Sequence, residues 1–235
     1  AVKKILESVE QASEFEHEVA VLKSFRHPQI VLWMGVCKSA GSVMLVQEYV
    51  SGGSLHRILQ NKTIELLWPA RVKMALEIAQ ALLFLHSRNI LHRDLKAENV
   101  LIEAAELVNG RPQYGKCKIA DFGLSTLFNG KAMPEVGTPL WRAPELSTHM
   151  YGPAADVFSF GVVMFELLTR AHGDDIRPGM TWARKMEFVT NTELLREDAQ
   201  FIKEIEWCPP DYWKLASACC NDNPEARPTT QQIVD

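Results

Sequence analysis

Long apolar runs are scarce in this chain of 235 residues. The longest, over residues 157–168, falls short of the roughly 20 that a membrane-spanning helix needs, and Glu166 interrupts it. The opening residues show no charged-then-apolar leader. An excess of positive charge is missing too. Lys and Arg number 25 against 29 Asp and Glu, a formal net charge of −4, which argues against nucleic acid or an anionic membrane surface as a partner. Cysteine is sparse: Cys37, Cys117, Cys208, Cys219 and Cys220 form neither a C-x-x-C pair nor a set with paired histidines, so no zinc site is expected. They read as reduced, mostly buried thiols, as in a cytoplasmic domain. Internal repeats and low-complexity segments are absent. The remaining composition, 47% hydrophobic and 23% charged, is that of a globular domain with enough chain to bury a core.

Periodicity divides the chain in two. Residues 1–6 read as a strand, and 13–25 follow helical spacing with Phe15, Val19 and Leu22 on one face. Residues 30–36 and 43–49 are apolar and β-branched, and read as strands around Ser39-Ala40-Gly41. Ser51-Gly52-Gly53-Ser54 then breaks the pattern. Beyond it, Pro69 fits the first turn of a helix running to about Ser87, with Val72, Ala75, Leu76, Ala79, Leu82 and Leu83 as its apolar stripe. A further helix is expected over residues 154–169, and shorter ones beyond Thr181. The fold class is α+β.

Three ordered blocks carry the chemistry: His92-Arg93-Asp94-Leu95-Lys96-Ala97-Glu98-Asn99, then Asp121-Phe122-Gly123, then Ala143-Pro144-Glu145. Singly each is weak; in this order, with helices around them, they resemble the eukaryotic protein kinase catalytic domain. The resemblance implies a two-lobed fold, with a small sheet lobe over residues 1–50 including the hinge and a larger, mainly helical lobe over 51–235. It implies transfer of the γ-phosphoryl group of Mg-ATP to a protein. Asp94 would orient the attacking hydroxyl and accept its proton, Lys96 would neutralise the transferring phosphate, and Asn99 and Asp121 would ligate magnesium. Lys3 matches the strand lysine that contacts the α- and β-phosphates, and strand alternation points Lys4 the other way. Glu18, on the inward stripe of its helix, would pair with Lys3. Val46-Gln47-Glu48-Tyr49-Val50 resembles the hinge: Gln47 stands at the gatekeeper position, Glu48 and Val50 would bond the adenine edge through their backbones, and Leu101 would form its floor.

Lys96 and Gly137-Thr138-Pro139 resemble the serine/threonine pattern, with Thr138 bonding near Asp94 and Lys96. Trp33-Met34-Gly35-Val36-Cys37 and Asp156-Val157-Phe158-Ser159-Phe160-Gly161 resemble the tyrosine-kinase-like branch of those kinases. Glu145 would pair with Arg227. Asp156 would either take backbone bonds from the catalytic loop or cap its helix. The chain departs from the pattern in having no glycine-rich phosphate loop before Ala1, which reads as a fragment inactive without that loop. Residues 103–118 form a long link, expected as a hairpin turning at Asn109-Gly110. Between Asp121 and Glu145 the hydroxyls are Ser125, Thr126 and Thr138, so Glu135 is expected to stand in for an activation-loop phosphate opposite Arg93. The implied partners are ATP and proteins presenting serine or threonine. The alternative is a catalytically inactive pseudokinase scaffold.

Overall fold

The structure, a computed structural model, describes residues 1–5, 23, 25–39, 42–108, 111–172 and 207–235. Three antiparallel strands open it: β1 (Val2–Ile5), β2 (Trp33–Ser39) and β3 (Ser42–Gln47), in the order β1-β3-β2. Central β3 is anchored by fully buried Leu45, with Lys3 of β1 opposite it in register. The apolar run expected as one strand from residue 30 is split. Buried Ile30 bridges Ile119, and the Val31 amide donates to the Ile119 carbonyl at 3.0 Å; only from Trp33 does the chain join β3. An apolar β-branched pattern specifies burial, not which strand supplies the backbone partners.

The rest is mainly helical: α1 (Leu55–Gln60), α2 (Trp68–His86), α3 (Pro153–Thr169), α4 (Pro210–Cys219) and α5 (Thr230–Val234). The Ser54 hydroxyl caps α1 by accepting from the Arg57 amide, and Pro69 occupies the first turn of α2 as expected. The stripe of α2 needs correction, because Val72 and Leu76 are exposed while Arg71, Met74, Ile78, Ala81 and Leu85 join Ala75, Ala79 and Leu82 inside. Arg71 accounts for the turn of that face. Its guanidinium donates to the carbonyls of Leu66 (2.9 Å), Leu167 (3.1 Å) and Leu168 (2.8 Å), closing the end of α3.

Helix α3 is buried on every side from Ala155 to Thr169, as a helix apolar all round must be. Its polar members are paired: Trp141 Nε1 donates to Glu166 Oε2 at 3.0 Å, and Ser159 Oγ donates to the Trp141 carbonyl at 2.6 Å. Gly161 lets α4 approach, since a side chain there would run into Cys219 and Cys220. Small antiparallel pairs frame the segment 92–99: β4 (Ile90–Leu91) with β9 (Thr126–Leu127), and β5 (Val100–Ile102) with β8 (Cys117–Ile119). The long link forms the hairpin β6 (Glu106–Val108) and β7 (Arg111–Gln113); its expected turn at Asn109-Gly110 lies outside the described residues. Lys73 of α2 holds the base of that link, donating to the Gly115 carbonyl at 2.9 Å. Among the described residues no helix is long and apolar enough to cross a membrane.

Candidate active site

Asp94 sits in the loop between β4 and β5 with both carboxylate oxygens engaged. Oδ1 accepts from the Thr138 amide (2.9 Å) and hydroxyl (2.7 Å). Oδ2 lies 3.0 Å from Lys96 Nζ and 3.0 Å from Asn99 Nδ2, whose nitrogen also donates to the Asp94 carbonyl at 2.8 Å. Lys96 Nζ reaches Thr138 Oγ1 at 2.6 Å, closing a ring of three side chains. Gly137 makes this close approach possible: its φ is +95°, and a side chain would strike the Arg93 carbonyl.

The loop is held from beneath by Asp156 in the first turn of α3. Its Oδ1 accepts from the Arg93 amide and its Oδ2 from the His92 amide, each at 2.9 Å, while His86 Nε2 lies 2.8 Å from Oδ2. The helix carries no side-chain cap, so of the two roles open for Asp156 the structure shows the backbone bonds. Burial pushes the Asp156 carboxyl up, but the His86 hydrogen bond and charge, with His92 and the Arg93 amide, outweigh it and leave the group below its ordinary value.

Asp121 is exposed and holds a left-handed backbone (φ +62°), while the next residue, Phe122, is fully buried between Phe25 (6.2 Å between ring centroids) and His92 (5.1 Å). Asn99 and Asp121 both offer hard oxygen donors of the kind a small divalent cation takes. The Asn99 nitrogen is turned to Asp94, which leaves its oxygen as the donor. In the segment expected as the hinge, Gln47 faces Trp33 across β2–β3. The Glu48 carboxylate accepts from the Leu32 amide (2.6 Å) and pairs with Lys118 Nζ (3.0 Å). Val50 is buried, and the chain after it is stitched to β5 by the Gly52 amide to Ile102 carbonyl bond (2.9 Å) and its reciprocal from Ile102 to Gly53 (2.8 Å). This places Leu101 alongside Ser54, close to the segment expected as the hinge. The expected partner of Lys3, Glu18, lies outside the described residues, as does the helix expected over 13–25 apart from Lys23 and Phe25.

The activation segment departs from expectation at Glu135, which pairs with Arg142 (2.7 Å) instead of Arg93. Arg93 Nε donates to the Leu124 carbonyl, and its Nη1 lies 3.4 Å from the Tyr151 hydroxyl. That hydroxyl donates in turn to the Pro134 carbonyl at 2.7 Å, so buried Tyr151 occupies the place assigned to Glu135. Ser125 is fully buried and donates to the Phe122 carbonyl, and Thr126 lies in β9. Glu145 and Arg227 meet as expected, in a two-pronged pair at 2.6 and 2.9 Å with the Arg227 side chain wholly buried.

A family model described as protein tyrosine and serine/threonine kinase matches residues 1–235. The chain belongs to this kinase family. Similar curated proteins include a "Probable serine/threonine-protein kinase" of Dictyostelium discoideum, 34% identical over 100% of this chain and 37% of that protein. A RasGEF domain-containing serine/threonine-protein kinase of the same organism is 34% identical over 100% of this chain and 23% of its own length. Dual specificity testis-specific protein kinase 2 of Homo sapiens is 34% identical over 92% of this chain and 36% of its own. The kinase domain therefore spans about a third or less of these relatives. Within it, sequence reasoning brought Asp94, Lys96, Asn99 and Thr138 together but missed His86, Tyr151 and Lys118. None of the three sits in a local pattern that marks a task; only its partner from a distant segment reveals one.

Proposed function

We propose that this kinase domain transfers the terminal phosphoryl group of ATP, as its magnesium complex, to serine or threonine hydroxyls of proteins. The observation that carries the reading is the ring of Asp94, Lys96 and Thr138, a carboxylate and a cation held together at 3.0 Å by a residue of the activation segment.

Phosphoryl transfer needs positioning and charge compensation more than covalent help. The substrate hydroxyl would displace one of the partners now held by the Asp94 carboxylate, and Asp94 would take its proton as the new oxygen–phosphorus bond forms and the bridging bond to the leaving diphosphate breaks. Lys96 would offset the charge on the transferring group. Asp156 keeps the backbone of His92 and Arg93 still, so that Asp94 need not reorganise during the step. Asn99 and Asp121 would hold magnesium, which supplies countercharge to the phosphate oxygens. The Glu48 and Val50 backbone would bind the adenine edge over Leu101, beside gatekeeper Gln47, while Lys3, paired with Glu18, would contact the α- and β-phosphates.

The test is a transfer assay on the full natural-length protein with radiolabelled Mg-ATP and a generic protein substrate. The expected label sits on serine or threonine and falls by roughly 100-fold or more in Asp94→Asn. Label on tyrosine would refute the residue preference. No transfer above Asp94→Asn by folded protein would refute the enzymatic reading and leave a pseudokinase scaffold.

A further inference from the structure

Three side chains that phosphoryl transfer does not use converge beside the catalytic loop. His56 comes from α1, Glu98 from the 3-10 turn Ala97–Asn99, and His172 from the residues just after α3. Their donor atoms all lie within 4.8 Å of one another. His172 Nε2 is 2.7 Å and His56 Nδ1 is 3.6 Å from Glu98 Oε1, and the two imidazoles meet edge to face at 4.7 Å between centroids. Trp141 lies against His172, its ring centroid 5.1 Å away.

We infer that His56, Glu98 and His172 form a binding site for a zinc-type divalent cation, distinct from the magnesium position at Asn99 and Asp121. Two imidazoles and one carboxylate are a donor set that suits zinc and poorly suits magnesium or calcium, which take oxygen ligands. The dimensions agree. Zinc–ligand bonds of about 2.0–2.2 Å in a tetrahedral shell set donor atoms roughly 3.3 Å apart, and the separations of 2.7 and 3.6 Å bracket that spacing. A second observation points the same way. Glu98 Oε2 is buried and, among the described residues, has no hydrogen-bond partner. A buried carboxylate oxygen without a donor is costly, and a cation held at Oε1 would offset the negative charge that Oε2 shares with it.

Three protein ligands leave a fourth position for water or another ligand. The metal would staple α1, the catalytic loop and the chain leaving α3, one residue from Asn99. The inference rests on donor geometry and stands whether or not the domain transfers phosphate.

The test is a cobalt(II) titration of the metal-stripped full-length protein in excess magnesium, followed by displacement with zinc. The expected result is the visible ligand-field spectrum of four-coordinate cobalt, bleached by zinc. Zinc affinity should fall by roughly 100-fold or more in His56→Ala, Glu98→Gln and His172→Ala, and stay unchanged in Cys37→Ser. Undiminished affinity in the histidine variants would overturn the assignment, as would thiolate-to-cobalt charge-transfer bands that vanish in Cys37→Ser. Should His172→Ala fail to fold, His56→Ala still decides, because its side chain is 33% exposed and its removal leaves the core intact.

Discussion

Arg93 shows how much one residue can be asked to do. Its backbone is left-handed (φ +67°), its amide is bound by Asp156, and its guanidinium spans the Leu124 carbonyl and the Tyr151 hydroxyl. Arginine next to a catalytic aspartate invites the expectation of an acidic partner, yet a neutral phenol takes the place. The acid expected there, Glu135, is bound to Arg142 on the surface, where an ion pair contributes little. The two variants should therefore behave oppositely. Tyr151→Phe leaves the Pro134 carbonyl and Arg93 short of a partner and should destabilise the protein by about 1–3 kcal/mol while lowering turnover. Glu135→Ala should shift stability by less than about 1 kcal/mol and leave turnover unchanged. Denaturant titrations and initial rates of both variants measure this contrast, and a larger loss in Glu135→Ala would return the role to the acid.

Between elements, the Glu145–Arg227 pair fastens the activation segment to the chain between α4 and α5. Arg227 also donates to the carbonyls of Ala154 (2.9 Å) and Asn221 (2.7 Å), so its five donors are well used where no water reaches. Removing one charge strands the other. Arg227→Met should cost about 3–5 kcal/mol, and adding Glu145→Leu should recover part of that loss, since two apolar residues leave no buried charge unpaired. A double-mutant cycle by urea unfolding reads the coupling, and strictly additive losses would contradict it. Burial silences the thiols at the end of α4, pushing Cys219 up to about 12 and Cys220, just past the helix, well above its ordinary value.

Across the fold, Asp156 joins α2, the catalytic loop and α3 through His86, His92 and Arg93, and this makes stability depend on acid. Its carboxyl is depressed in the folded state, so its contribution is complete above the ordinary carboxylate value of 3.8 and is lost as pH falls through the lower folded value. Asp156→Asn should be less stable than the parent at neutral pH, and the gap should close as the pH drops below about 4. Urea midpoints at both pH values test this, and a gap that stays constant would show that the carboxylate charge is not what holds the loop. Much of this architecture was legible in advance, for physical reasons. Long helices such as α2 and α3 follow from apolar spacing and proline placement, and the catalytic loop from residue types that phosphoryl transfer requires in a fixed local order. Those features depend on neighbours in the chain. The inward face of α2, the split of residues 30–36 between two partners, the choice of Tyr151 over Glu135 and the meeting of His56, Glu98 and His172 were not legible. Each depends on groups brought together from distant segments, where burial and the need to pair every polar atom decide among partners that local pattern cannot rank.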